Sequence, residues 1–382
     1  MLKTQKIQNM QNKLDLQKAQ NRLNLLKQQQ TWKKRNLSKR MTAFVLGTVM
    51  LLSGCSGTDG WNSSSGKTEE PIASRLSYAL NTEIQIDLYG TEEGIHYTEK
   101  EYDEILTECL SICSRYEKKL SRTIEDSEIS VLNAQKEAEL SEDTLELLEK
   151  GLYYSEISEG AFDIAIEPIS SLWDFSSGEG TVPDASLIES RLPYVDYHNI
   201  QIEGNHVTLG EGMGIDLGAI AKGYIADQIK SYLTDMKINS ATINLGGNVL
   251  CIGKKPSGSE FGIGIRDPKN TAGIKAAVYV EDCSVVTSGT YERYIEQDGK
   301  TYHHILNPRT GYSYENELDS VTIISDVSVD GDGLSTTCFA LGLEEGLELI
   351  DSMDSVWAMF IDKEGSIIYS DGFSENITYK EY

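Results

Sequence analysis

The dipeptide Asp298-Gly299 stands between two segments rich in β-forming residues, and it constrains the fold more than any other feature of the chain. Both residue types accept positive φ at the centre of a tight turn, so the pattern predicts a β-hairpin with antiparallel strands. Side chains alternate along a strand, so only one of His303 and His304 can face a given site. The alternation predicts two faces, one with Tyr302, His304 and Leu306, the other with Thr301, His303 and Ile305.

The remaining pattern mixes strands with helices and predicts an α+β fold in which helices cover antiparallel sheets. We expect a strand from Leu76 to Leu88, a helix from Glu101 to Lys119, and a second helix after the N-cap Ser141. The later predicted elements are two short strands around Gly204-Asn205, a helix with the core face Ala221, Ile225, Ile229, Leu233 and Met236, strands within 241–252, 261–266, 275–280, 284–286 and 321–325, helices at 334–341 and 347–353, and a closing hairpin around Lys363-Glu-Gly365.

The first 54 residues differ in charge from the remainder. They contain 11 Lys or Arg and one acidic residue, Asp15, so the net charge of -26 leaves -36 for the other residues. An apolar run from Met41 to Leu52 has the length of a signal-peptide core and is short for a transmembrane helix. The sequence Leu52-Ser-Gly-Cys55 follows it and resembles a bacterial lipobox, whose cysteine becomes the lipidated first residue.

These features predict three parts of the chain. We expect an N-terminal extension and lipoprotein signal peptide in residues 1–54, a flexible tether in 55–74 and a folded domain in 75–382, with Cys55 as the lipid anchor. A short buried hydrophobic segment beside an incidental cysteine is the alternative.

The charge and the cysteine content of the folded part exclude some classes of partner and of structural site. Its acidity argues against nucleic acid, because a phosphate backbone would be repelled. Besides Cys55, the chain has Cys109, Cys113, Cys251, Cys283 and Cys338. An odd number cannot all pair internally, and no Cys-x-x-Cys occurs, so the sequence supports neither a disulfide scaffold nor a zinc site.

Two motifs suit phosphate and metal chemistry. Gly218 followed by Lys222 at a predicted helix start fits an anion site, since a helix N-terminus offers free N–H groups and a positive dipole end. Asp332 and Thr336 are four residues apart, which places a carboxylate and a hydroxyl on one helix face and suits Mg2+. The alternatives are an ordinary turn with a solvated lysine, and an Asp that only caps its helix.

Six blocks in order resemble the ApbE family of FAD:protein FMN transferases. The resemblance covers nearly all of the chain after residue 75. The blocks are Gly160-Ala-Phe-Asp163 with Leu172-Trp173, the segment from Asp216 to Asp227, Asn244-Leu-Gly-Gly-Asn248, Gly264-Ile-Arg-Asp-Pro268, the hairpin with Asn307-Pro-Arg-Thr-Gly311, and Asp332-Gly-Leu-Ser-Thr336. Two segments depart from the family pattern: Leu80-Asn81-Thr82 replaces a Met-Gly-Thr, and Ser121-Arg122-Thr123 lacks a flavin-stacking Tyr.

The resemblance implies an ApbE-like (T-fold-like) architecture and a set of site residues. It places Ala161, Phe162, Asp163, Asp216, Lys222 and Ile305 against the flavin dinucleotide, and Ala219, through its backbone oxygen, with Asp332 and Thr336 around magnesium. Transfer of FMN to a hydroxyl also needs a base near neutral pKa, and His304 is our candidate. A packed or hydrogen-bonded surface histidine, with a nearby carboxylate as the base, is the alternative.

The implied function is Mg2+-dependent transfer of FMN from FAD to a Ser or Thr hydroxyl of target proteins. With the predicted lipid anchor, we expect the chain on the extracytoplasmic face of the cell membrane, acting on membrane electron-transfer proteins. A pyrophosphatase that splits FAD into FMN and AMP, and a lipoprotein that only binds a ligand, are the alternatives. The sequence does not identify the acceptor protein, the oligomeric state or the translation start.

Overall fold

The structure is a computed structural model that describes residues 70–176 and 180–382. The predicted signal peptide and Cys55 lie outside this range. The strands are β1 Ala73–Ala79, β2 Thr82–Thr91, β3 Glu137–Glu139, β4 Gln201–Glu203, β5 His206–Thr208, β6 Ile238–Leu245, β7 Asn248–Ile252, β8 Phe261–Asp267, β9 Asn270–Val280, β10 Ser284–Gly289, β11 Tyr294–Gln297, β12 Lys300–His303, β13 Leu318–Ser325, β14 Val356–Asp362, β15 Ile367–Tyr369 and β16 Thr378–Glu381. The helices are α1 Glu99–Leu120, α2 Glu128–Gln135, α3 Glu142–Ile157, α4 Glu167–Ser170, α5 Ala185–Arg191, α6 Ala221–Asp235, α7 Ser328–Leu341, α8 Leu343–Asp351 and α9 Phe373–Asn376.

An antiparallel sheet of eight strands, in the order β1-β2-β6-β7-β10-β13-β14-β15, forms the centre of the fold. Successive side chains of one strand enter different cores, because a strand alternates its faces. In β14, Ala358 and Phe360 pack in the core that also takes residues of α1, α3, α6 and α7, whereas Met359 and Ile361 pack with residues of β8 and β9. The sheet therefore lies between a helical layer and the small sheet β16-β9-β8, which confirms the α+β prediction.

The predicted hairpin is present. Strands β11 and β12 pair antiparallel with Gln297 opposite Lys300, and Asp298 and Gly299 both have positive φ, 53° and 75°. Trp173 packs beside this hairpin and contacts the ring of Tyr302. The hairpin is thus held over the loop that follows α4.

Several predicted elements are wrong in extent. The single strand expected from Leu76 to Leu88 is the hairpin β1–β2, in which Leu80 and Asn81 form the turn with φ of 55° each. Asn81 suits a turn, but Leu80 does not, so this pair did not indicate one. Helix α7 begins at Ser328 and not at Leu334, α8 at Leu343 and not at Leu347, and β9 at Asn270 and not at Lys275.

The early start of α7 has a physical cause. Its N-cap position, Val327, offers no side-chain oxygen, and the half-buried Asp227 of α6 instead accepts hydrogen bonds from the N–H groups of Ser328 and Val329, both at 2.9 Å. Asp332 consequently lies inside the helix and is not its cap, so the capping alternative is wrong. Within the described residues, no helix combines the length and the apolar character that a membrane crossing requires.

Candidate active site

A cleft of about 950 Å³ opens where α6 begins, beside α7 and the β11–β12 hairpin. All ten site residues predicted in the folded part line this cleft: Ala161, Phe162, Asp163, Asp216, Ala219, Lys222, His304, Ile305, Asp332 and Thr336. A smaller cavity of about 330 Å³ lies between Pro193 and Met213 and contains none of them. The structure therefore brings together residues that are up to 175 positions apart in the sequence.

Asp332 is a buried acid of the cleft with a partner for each carboxylate oxygen. Its side chain is 4% exposed, and Oδ1 lies 3.1 Å from Lys222 Nζ. The other oxygen, Oδ2, accepts a hydrogen bond of 2.8 Å from the N–H of Gly223, in the first turn of α6. Only glycine fits at position 223, because a Cβ there would lie 2.4 Å from the Ser328 carbonyl oxygen. The two predicted motifs thus meet as one cluster.

Thr336 follows one turn later on α7 and joins a chain of hydroxyl groups. The Ser288 Oγ of β10 lies 3.1 Å from Thr336 Oγ1 and 2.8 Å from Ser335 Oγ. Ser335 in turn donates to the Asp332 carbonyl oxygen at 3.0 Å. This network ties α7 to β10, and both Asp332 and Thr336 line the cleft.

Asp216 organises the segment before α6. One carboxylate oxygen, Oδ1, accepts a hydrogen bond of 2.9 Å from the Gly218 N–H, which shapes the turn that leads to Ala219. The other, Oδ2, accepts hydrogen bonds from Arg122 Nε at 2.8 Å and from Ser170 Oγ at 2.7 Å. Arg122 stands where the sequence departs from the family pattern, and the structure places it in the cleft as the ion-pair partner of Asp216.

Asp163 is a buried acid at the cleft wall. It accepts hydrogen bonds from the N–H of Ala165 at 2.7 Å and of Tyr197 at 3.2 Å. Burial raises the pKa of its carboxyl to about 6, although both hydrogen bonds act in the opposite direction. Its two neighbours Ala161 and Phe162 are buried beside it. Asp163 therefore holds its own loop as well as facing the cleft.

The two histidines separate as the alternation predicts. His303 is buried, packs edge-on against Phe339, and its Nε2 lies 2.9 Å from the Tyr314 carbonyl oxygen. His304 lines the cleft, and its Nδ1 lies 3.3 Å from the Arg293 carbonyl oxygen. Burial, with the nearby charge of Arg293, lowers the pKa of His304 to about 3. Ile305 was expected on the opposite face, but it also lines the cleft because β12 ends at His303.

Sequence reasoning missed Glu292, which follows β10 and reaches the cleft from the hairpin side. Its Oε1 lies near Gly247: a Cβ built on that glycine would be 3.7 Å from this oxygen. The Glu292 side chain remains accessible to solvent within the cleft. Enclosure by the cleft walls raises the pKa of its carboxyl to about 7, against the opposite influence of Lys222 and Arg293. The acid stands within a family-like block, yet only the fold shows that it faces Lys222.

Charges of both signs line this cleft. Arg122, Lys222, Arg266 and Arg293 come from four separate parts of the chain, and six carboxylates stand among them, those of Glu83, Glu117, Asp163, Asp216, Glu292 and Asp332. Walls of low dielectric strengthen the field near each charged group. The fold and the site together define an α+β protein with a cleft in which cationic side chains lie beside oxygen donors of the kind that hard cations prefer.

Comparison with known proteins identifies the family. The chain matches the model of the ApbE family over residues 80–360. It is 33% identical over 339 residues to the FAD:protein FMN transferase of Treponema pallidum (strain Nichols), covering 83% of this chain and 92% of that protein. It is 38% identical over 310 residues to that of Klebsiella pneumoniae (strain 342), covering 79% and 93%. The crystal structure of the ApbE protein from Thermotoga maritima superposes with a TM-score of 0.72 at 30% identity, covering 79% of this chain and 98% of that one. The chain belongs to the ApbE family.

Proposed function

We propose that the chain transfers FMN from FAD to a Ser or Thr hydroxyl of acceptor proteins, releases AMP, and depends on Mg2+. The observation that carries this proposal is the Lys222–Asp332 pair, which lies with Thr336 in one cleft at the start of α6. The relatives named FAD:protein FMN transferase support the same choice of substrates. A dinucleotide with two linked phosphates matches the cations that line the cleft.

The reaction is a phosphoryl-type substitution. The acceptor oxygen forms a bond to the phosphorus of the FMN half, the bond from that phosphorus to the bridging oxygen breaks, and AMP leaves with that oxygen. Lys222 and the cleft arginines offset the charge on the phosphates as it shifts towards AMP. The hydroxyl proton passes to a base in the cleft.

The donor set fits a magnesium ion. Among the described residues, no group of three His, Cys, Asp or Glu side chains is arranged to hold a metal ion. In this cleft Asp332 offers a carboxylate, Thr336 a hydroxyl and Ala219 a backbone carbonyl oxygen. All three are hard oxygen donors, and Mg2+ usually completes its shell with water and substrate phosphates. When bound, the ion supplies Lewis-acid neutralisation of the pyrophosphate.

Two groups compete for the role of base. His304 is the candidate from the sequence, and its pKa of about 3 keeps the imidazole neutral but makes it a weak base at neutral pH in the free enzyme. Glu292 is the nearby carboxylate, with a pKa of about 7 that suits proton transfer at that pH. Negative phosphates would raise the pKa of His304, so we retain it as the proposed base and use the pH dependence to test it.

Incubation with FAD tests the function directly. The chain, FAD, Mg2+ and an acceptor protein should give an acceptor that stays fluorescent after denaturing electrophoresis, and a chelator should abolish the product. Release of FMN and AMP without labelled protein, for acceptors of several kinds, would favour the pyrophosphatase. If FAD remains intact under every condition, the chain is not an enzyme of this class.

We also propose that the domain of residues 75–382 is tethered by 55–74 to a lipid on Cys55, at the extracytoplasmic face of the cell membrane. The basic flank, the apolar run and the lipobox-like sequence support this placement, and acceptors in membrane electron transfer would lie within reach of such a tether. The Cys55→Ala variant should move from the membrane fraction to the soluble fraction. Equal membrane association of both proteins would contradict the anchor.

A further inference from the structure

Two cysteines stand directly opposite each other on neighbouring central strands. Strand β7 pairs with β10 so that Leu250 faces Ser284 and Val249 faces Val285. One step further, this register sets Cys251 against Cys283, the residue before β10. The backbone confirms the contact, because the Cys251 N–H donates a hydrogen bond of 2.9 Å to the Cys283 carbonyl oxygen.

Their side chains lie on the same face of the sheet. Cys251 is fully buried in the core between the central sheet and β16-β9-β8, and Cys283 packs against that same core while remaining partly exposed. Hydrogen-bonded residues opposite each other in antiparallel strands have Cα atoms about 5.5 Å apart. Disulfides span about 4.4 to 6.8 Å between Cα atoms and about 3.5 to 4.5 Å between Cβ atoms. Opposed strand residues have Cβ atoms about 4.5 to 5.5 Å apart, so the two strands must approach each other by about 1 Å for the bond to close.

Cys109 and Cys113 offer an internal comparison. They are also buried and close in sequence, one turn apart on α1. Residues at that helical spacing have Cβ atoms about 5 to 6 Å apart. Both pairs thus lie beyond the disulfide range of about 3.5 to 4.5 Å between Cβ atoms. Closing Cys109 to Cys113 would deform the hydrogen-bonded turn of one helix, whereas closing Cys251 to Cys283 requires a shift between two strands.

We propose that Cys251 and Cys283 are a disulfide site that joins β7 to β10 when the chain folds in the presence of a disulfide oxidant. Both are thiols in the structure. A Cys283 thiolate attacks the oxidant disulfide and expels one thiol, and Cys251 then attacks the mixed disulfide and expels the second. Two protons and two electrons pass from the cysteines to the oxidant.

The disulfide between Cys251 and Cys283 forms before folding buries the two thiols, and not afterwards. Burial raises the pKa of Cys283 to about 12, so the folded thiols exchange slowly. The unfolded chain has ordinary thiols and reacts faster. The bond would enclose residues 252–282, which carry β8 and β9, and would link the strands that bring Val249 and Ser288 to the cleft. The site is independent of the proposed transferase activity.

Refolding tests the site. The full chain is unfolded, reduced, and refolded either in a mixture of reduced and oxidised glutathione or in dithiothreitol, and free thiols are then alkylated for peptide mapping without reduction. We expect one cross-linked peptide that joins Cys251 to Cys283 in glutathione only, with Cys109, Cys113 and Cys338 alkylated. The melting temperature should be about 5 to 10 °C higher for the oxidised form.

Substitutions separate the bond from general oxidation effects. Cys283→Ser, at the partly exposed position, should remove both the cross-link and the difference in melting temperature, whereas Cys109→Ser should leave both. Cys251→Ser is the second variant if one of them folds poorly. Alkylation of Cys251 and Cys283 under both conditions, or a cross-link to any other cysteine including Cys55, would overturn the proposal.

Discussion

Two aspartates of helix α7 each form an ion pair with a lysine of another helix, and the two pairs lie in different surroundings. Asp330 lies 2.5 Å from Lys150 Nζ, and Asp332 lies 3.1 Å from Lys222 Nζ. Two residues correspond to about 200° around a helix, so the pairs face nearly opposite directions. Asp330 also accepts a hydrogen bond of 2.5 Å from the Tyr154 hydroxyl, and Lys150 lies over the rings of Tyr153 and Tyr154.

The difference shows that burial does not distinguish a functional pair from a structural one. Asp332 is 4% exposed and Asp330 is 22% exposed, yet only Asp332 and Lys222 line the cleft. The Asp330 pair is closed by tyrosines of α3 and joins two helices. The Asp332 pair faces a cavity where a ligand with phosphates can take over either partner. We expect substitutions at the two pairs to separate activity from stability.

The largest expected effect is at Asp332. Asp332→Ala should lower FMN transfer by roughly 100-fold or more, because the cleft loses its one carboxylate for the metal and leaves Lys222 unopposed. Mass spectrometry of an acceptor co-expressed with either protein measures the fraction that carries FMN. Addition of FMN by both proteins alike would rule out the metal assignment.

Lys222 should show the next largest effect. Lys222→Met keeps the aliphatic stem but removes the charge that faces the phosphates, so we expect kcat/KM for FAD to fall about 10- to 100-fold. Lys150→Met is the matched control, with transfer within about twofold of the wild type because that lysine lies away from the cleft. Equal loss in both variants would mean that the cleft pair acts only through the stability of α7.

The pH dependence sharpens the comparison within the cleft. Glu292, with a pKa of about 7 in the free protein, is a base only above that pH, so a Glu292 base predicts a kcat/KM for FAD that rises as pH increases through 7. His304, with a pKa of about 3 in the free protein, is already neutral there, so a His304 base predicts a flat profile of kcat/KM from pH 5 to 8. Values of kcat/KM for the wild type, Glu292→Gln and His304→Gln across that range decide between them.

Lys222→Met offers a check on the same profile. Lys222 lowers the pKa of Glu292, so its removal should move a Glu292-dependent rise to higher pH. A rise that stays in place after that substitution, or that persists in Glu292→Gln, assigns the titration to another group.

The site was more predictable from sequence than its surroundings. The spacing of Gly218, Lys222, Asp332 and Thr336 drew attention to them, but their assignment to phosphate and metal chemistry came from the resemblance to the ApbE family, because spacing alone also fits an ordinary turn and a helix cap. The turn at Leu80-Asn81 was missed because only Asn81 is a turn-forming residue, while Leu80 takes positive φ within the paired strands β1 and β2.

Long-range partners account for the other errors. Asp227 caps α7 from a distance of about 100 residues, so the start of that helix could not be read from its own sequence. Glu292 and Arg122 carry no local pattern that distinguishes them from surface charges. Their place in the cleft follows from the packing of the hairpin and of the segment after α1, which sequence periodicity does not encode.

The smallest effect on catalysis, and a clear one on stability, is expected at Asp330. Asp330→Asn keeps the size of the side chain and a hydrogen-bond acceptor for Tyr154, but it leaves the charge of Lys150 without its carboxylate partner. We expect a loss of about 2 kcal/mol in the free energy of unfolding, which corresponds to a melting temperature lower by about 3 to 6 °C. FMN transfer by the folded protein should stay within about twofold, because Asp330 does not line the cleft. Calorimetry and acceptor labelling at 20 °C measure both quantities on one preparation. A large loss of transfer with an unchanged melting temperature would contradict the structural role of the Asp330–Lys150 pair, since it would mean that the side of α7 that faces Tyr154 contributes to catalysis.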